Sequence, residues 1–148
     1  MGFRFDRIHV WAGEVDDKPG GVADKLAALA NAGANLGFVL TQRLADKPGK
    51  GILYVAPIVG TEQVKAARLA GLHETHDPVV MRIEGDNEAG LAFHVTQQWA
   101  KAGISFHEMT MAVVNGKFVG YAAFDTVGDS NKAATILADL GTGRKAAG

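Results

Sequence analysis

Pro19-Gly20-Gly21-Val22-Ala23 followed by Asn31-Ala32-Gly33-Ala34-Asn35 returns later in the chain as Ala89-Gly90-Leu91-Ala92-Phe93 followed by Lys101-Ala102-Gly103-Ile104-Ser105. Both segments recur at an offset of 70 residues, close to half of the 148-residue chain. In each copy the second segment begins twelve residues after the first. A turn, a helix of fixed length and a glycine stop are thus written twice. At a slightly smaller offset Ile52-Leu53-Tyr54-Val55-Ala56 meets Val119-Gly120-Tyr121-Ala122-Ala123, because the second copy has a shorter connection.

Working outward in the first copy, Ile8, Val10 and Ala12 alternate with His9 and Trp11, the period-two pattern of a half-buried strand. Asp16 to Gly21 breaks that strand and places acidic residues, proline and glycine before a helix. Val22, Leu26, Leu29 and Ala30 fall on one helical stripe, and Gly33 ends it. The chain is then extended from Leu36 to Arg43 and again from Gly51 to Val59, with Ala45 to Lys50 as the hairpin loop. Thr61 to Leu69 reads as a second helix and Leu72 to Thr75 as a short strand.

The second copy repeats this order. Val79 to Ile83 is a strand, and Gly90 to Lys101 is a helix with Leu91, Val95 and Trp99 on one face. Ser105 to Val114 and Lys117 to Asp125 flank Asn115-Gly116, a strong hairpin signal because both residues tolerate positive φ. Ala133, Ile136, Leu137 and Leu140 mark a final helix, and no fourth strand is evident after it. The expected class is α+β: two ferredoxin-like βαββαβ units in tandem, each an antiparallel sheet with helices on one face. Repeat one is assigned to residues 5–77, repeat two to 78–141, and a flexible tail to 142–148. The strands Ile52 to Val59 and Phe118 to Phe124 are apolar at nearly every position, so their second faces are expected to be covered by another sheet or subunit.

Composition narrows the function. Fifteen Lys and Arg against sixteen Asp and Glu leave a net charge of −1, so nothing drives the chain toward nucleic acid or anionic membrane. The absence of cysteine excludes disulfides, thiol catalysis and cysteine-containing metal sites. No apolar run is long enough to span a membrane, and the first residues lack the hydrophobic core of a secretion signal, so a cytoplasmic location is expected.

A strand, an acidic or amide residue shortly before Pro-Gly, a helix, and then Ala-Gly-Ala-Asn resembles the ACT domain, a small-molecule-sensing module of amino-acid metabolism. Asp17 to Ala23 and Asn31 to Asn35 carry the resemblance in copy one; Asn87 to Ala92 and Lys101 to Ser105 carry it in copy two, where Ala89 and Ser105 depart from the usual proline and asparagine. The resemblance spans residues 7 to 140. It implies a regulatory, non-catalytic protein that binds an amino acid or related metabolite where the first strand–helix loop of one unit faces the start of the second strand in a neighbour. It also implies a homodimer or higher homo-oligomer and a regulated protein partner, with no cofactor and no metal. The implied contacts in copy one are Gly13, Glu14, Val15, Asp16, Asp17, Gly20 and Gly21 with Asn35. Copy two supplies Glu84, Gly85, Asp86, Asn87 and Gly90 with Ser105. Copy one, with both acids and the asparagine, is expected to bind first. The chemistry is that of a helix N-terminus meeting a carboxylate while side-chain oxygens meet an ammonium.

Other constellations carry less. His73-Glu74-Thr75-His76 lacks the spacing of a helical zinc motif, and on a strand it offers at most a His–carboxylate pair. No dinucleotide, phosphate-loop or serine-elbow pattern is present. A rival reading is a small ferredoxin-like dimeric enzyme using His76, His107 or Glu108 as acid–base residues; another is a pure assembly scaffold. Trp11 and Trp99 read first as packing residues.

Overall fold

Both repeated helices stop where their glycines stand. In the computed structural model, which describes residues 3–76 and 78–141, Gly33 and Gly103 have φ of +81° and +74°. The turn is the same in both: Gly33 N–H donates to Ala30 O and Ala34 N–H to Leu29 O, as Gly103 does to Ala100 and Ile104 to Trp99. These bonds satisfy the last carbonyls of each helix, and only glycine adopts the left-handed turn without steric penalty.

The element order is β1 (Arg4–Ile8), β2 (Trp11–Asp16), α1 (Gly21–Asn31), β3 (Phe38–Arg43), β4 (Lys50–Ala56), α2 (Gly60–Leu69), β5 (His73–Glu74), β6 (Val79–Asp86), α3 (Leu91–Lys101), β7 (Glu108–Val114), β8 (Lys117–Phe124) and α4 (Val127–Gly141). They form two compact units. The first is His9–His76, with sheet order β3-β4-β2-β5. The second joins residues 3–8 to residues 78–141, with sheet order β1-β6-β8-β7. All pairings are antiparallel, and the α+β class with two ferredoxin-like sheets is the one expected.

One boundary differs. Residues 5–8, read from the sequence as opening the first repeat, pair instead with β6 of the second unit: Phe5 lies opposite Ile83 and Ile8 opposite Val80. The run Ile8, Val10, Ala12 is not one strand but two, broken at His9 and Val10. The physical reason is protection of a sheet edge. Without an outer neighbour β6 would be an unpaired edge beside a half-built core; β1 fills that place, and Phe3 and Phe5 pack against the core of the second unit. The tail assigned to residues 142–148 lies outside the described residues.

Each unit has its own core. Leu29, Leu53, Val55, Ala67 and Leu72 are fully buried in the first, together with Trp11 and Val15. Ile83, Val95, Trp99, Phe124, Ala133 and Leu137 are fully buried in the second. Every large apolar side chain so buried stabilises by about 1.5–3 kcal/mol relative to exposure. Trp11 and Trp99 are therefore packing residues. On the sheet faces turned from the helices, Ile52, Tyr54, Val119 and Tyr121 are half-buried; on the edge strands, Val39 of β3 and Val113 of β7, both on the helix side opposite core residues, and Val114 of β7 are exposed.

Candidate functional site

The loops after β2 and β6 are built alike. Asp16 sits opposite Lys50 and Asp86 opposite Lys117, and each pair forms a salt bridge. Asp17 N–H then donates to Gly49 O, as Asn87 N–H does to Gly116 O. Gly20 and Gly90, with φ of +87° and +79°, turn the chain into α1 and α3. Neither helix has a side-chain cap. The other two helices do use side chains at their starts: Asp129 N–H donates to Thr126 Oγ1 at α4, and Val59 N–H to Gln63 Oε1 at α2. The first N–H groups of any helix lack intrahelical acceptors; in the repeated loops one of them is taken by the loop's own backbone, Gly21 N–H donating to Lys18 O and Leu91 N–H to Glu88 O.

In the second unit this end of α3 opens onto a cleft of about 400 Å³. Asn87 to Ala92 form one side and Met111 to Val113 of β7, with Phe118, the other. Asn87 and Gly90, two of the expected contacts, line it. Asp86 is engaged with Lys117 instead, and Glu84 is held by Arg82 at 2.7 Å on the sheet face turned from the helices.

In the first unit the expected acids are all paired. Glu14 meets Lys47, Asp16 meets Lys50 at 2.6 Å, and Asp17 meets Arg43 at 2.8 Å. Gly20 shapes the turn, while Gly13 and Gly21 are closely packed: a Cβ on Gly13 would fall 2.4 Å from Gly71 O, and one on Gly21 would fall 2.1 Å from Asp16 O. Val15 is buried in the core. A second cleft of about 450 Å³ lies between α1 and α2, lined by Asp16, Lys18, Gly21 and Lys25 among others.

Asn35 and Ser105 do not join these loops within a unit. Phe38 lies opposite Ala56, whereas Asp16 lies opposite Lys50, so Asn35 and the Asp16 loop stand at opposite ends of the first sheet. The six residues of β2 alone separate those ends by about 20 Å. Ser105, which precedes β7, bears the same relation to the Asp86 loop. A single pocket holding both the Asp16 loop and Asn35 is therefore not formed by one unit. The sequence reading missed Met111, Val113 and Phe118, whose signal is their apolar character on strands facing a Gly-turn helix start. Glu74 makes its histidine contact with His9, at 4.0 Å, rather than through its own strand.

The paired carboxylates carry a pH signature. Hydrogen bonds from lysine or arginine, and then their charge, hold Glu14, Asp16, Glu84 and Asp86 below the ordinary carboxylate range. A depressed folded-state pKa contributes stability that is present above the unfolded pKa and lost as pH falls through the folded one. The melting temperature is expected to decline gently from about pH 5 downward, and less steeply in high salt, because the pairs are exposed. A melting temperature unchanged down to about pH 3 would contradict this.

No family model and no curated protein matches the sequence. Solved structures do match. A protein from Bacteroides thetaiotaomicron aligns with a TM-score of 0.70 at 18% identity, over 90% of this chain and 88% of that one. The regulatory subunit of aspartate kinase from Thermus thermophilus aligns with a TM-score of 0.61 at 17% identity, over 93% of both chains. The corresponding subunit from Thermus flavus gives the same score and identity over 96% of this chain and 97% of that one. What is shared at these identities is the fold, and it is the tandem ACT-domain fold.

Proposed function

We propose that the chain is a non-catalytic regulatory module that binds a small amino-acid-like metabolite at the start of α3 and passes its occupancy to a protein partner. The observation that carries this reading is the cleft at the uncapped N-terminus of α3. Backbone N–H groups and the helix dipole favour a carboxylate there. The Asn87 amide oxygen offers an acceptor for an ammonium, and the opposite wall is apolar. A volume of about 400 Å³ suits a small ligand. Glu88 is the one titratable side chain of the lining, so no acid–base pair is available there for chemistry. The likeness to regulatory subunits supports the regulatory part of the reading.

Calorimetric titration with the free amino acids tests the reading. Ala92, exposed on the first turn of α3, lines the cleft. Ala92→Glu sets a carboxylate where the ligand's own would lie and agrees with the helix dipole, so folding is retained. Binding is expected to weaken by at least about tenfold. Undiminished binding by Ala92→Glu would move the site elsewhere, and no binding by any amino acid would end the reading.

A further inference from the structure

The strand registers superimpose the two repeats residue by residue around this cleft. Arg43 sits opposite Gly51 where Val113 sits opposite Phe118, and Thr41 sits opposite Leu53 where Met111 sits opposite Gly120. With the two Asp–Lys pairs as anchors, the first repeat has Asp17, Arg43 and Gly51 where the second has Asn87, Val113 and Phe118. The difference changes what the site can hold. In the first repeat Arg43 Nε reaches from the edge strand to Asp17 Oδ2, 2.8 Å away, so loop and strand are joined by an internal ion pair. In the second, an amide and a valine form no such pair, and the same span is the open cleft walled by Leu91, Met111, Val113 and Phe118.

We propose that the second repeat's cleft is the chain's single metabolite site and that it selects amino acids with apolar side chains. The inference rests on the regulatory reading above and deepens it by naming the ligand class and the number of sites. An acidic side chain placed against Met111 and Phe118 would lose its hydration without a counterion and would stand near Glu88; a basic one would have only the exposed Glu88 as partner, too well solvated to offset the hydration lost against the same apolar wall. An apolar side chain gains from leaving water there. The first repeat's exclusion does not depend on the strength of its exposed ion pair, which is weak by nature. A ligand displacing Arg43 from Asp17 would find Thr41, Gly51 and Gly21 in place of the apolar wall.

Titration of the intact chain with leucine, methionine and phenylalanine, against aspartate, glutamate and lysine, decides the matter. The expected result is one site per chain, with the apolar set bound at least about tenfold more tightly. The double variant Asn87→Asp with Val113→Arg installs the first repeat's pair in the second; Val113 is 55% exposed, so arginine is accommodated. Its affinity for the apolar set is expected to fall at least about tenfold with its melting curve retained. Charged amino acids binding as tightly as apolar ones, yet still sensitive to Ala92→Glu, would overturn the selectivity and leave the regulatory reading standing. Two equal sites, or a double variant that binds like the parent, would overturn the single open cleft. No binding by any of the six would overturn the apolar selectivity, and only silence from every free amino acid would end the regulatory reading with it.

Discussion

Trp99→Ala is expected to lower stability by about 3–5 kcal/mol, a fall of roughly 10–20 °C in melting temperature. Trp99 is fully buried. Its ring meets Phe124 edge-on at 5.3 Å between centroids and Phe106 at 6.0 Å, and its Nε1–H donates to Ala133 O at 3.3 Å. One side chain therefore ties α3 to β8 and α4. Truncation removes the transfer free energy of the indole and leaves a cavity between a helix and a sheet that cannot close around alanine. Phe93→Ala, on the exposed face of the same helix at 65% exposure, serves as control and is expected to change stability by less than about 0.5 kcal/mol. Thermal melts of the two variants make the comparison. A loss below about 1 kcal/mol at Trp99 would mean that the second core repacks around the gap.

That role is legible in the sequence. Leu91, Val95 and Trp99 lie four residues apart, which places them on one helical stripe, and all three are buried. The same holds for Gly33 and Gly103, whose positions after a helical run admit one explanation. What the sequence hid is of two kinds. The first is non-local. The alternation of Ile8, Val10 and Ala12 is continuous in sequence, yet the chain crosses from one unit's sheet to the other's between Ile8 and Trp11. Local periodicity reports that a residue is in a strand and is silent on which sheet receives the strand. The second concerns the site. Within one unit strand direction sends Asn35 and the Asp16 loop to opposite ends of the sheet, so the facing of loop and strand start that the resemblance implies belongs between units and cannot be read from either repeat alone. The contrast between Asp17 with Arg43 and Asn87 with Val113 was legible, since both pairs stand 70 residues apart like the rest of the repeat. Its meaning depends on knowing that loop and edge strand face one another, which the register supplies.

Gly13→Ala is expected to destabilise the first unit by about 3 kcal/mol, the upper end for overpacking a closed site. Gly13 lies on the helix-facing side of β2, opposite Leu53. A Cβ there would stand 2.4 Å from Gly71 O and 2.8 Å from Leu72 Cδ2. Neither atom can yield cheaply. Gly71 has φ of +84° in the turn that ends α2, its N–H donates to Arg68 O, and Leu72 is fully buried with its N–H donating to Ala67 O. Relief requires moving that turn off β2, and with it β5, whose pairing to Trp11 and Ala12 begins two residues after Gly71. The second unit provides an internal comparison. Ile83 occupies the corresponding place, opposite Gly120, and is fully buried. A large side chain is admitted there: β6 receives its outer neighbour from the N-terminal strand β1, and among the described residues no turn leading from a helix into an adjacent strand closes over it. Chemical denaturation of Gly13→Ala checks the expectation. A midpoint equal to that of the parent would show that the α2–β5 turn gives way freely, and the close approach at Gly71 would then not be what fixes glycine at this position.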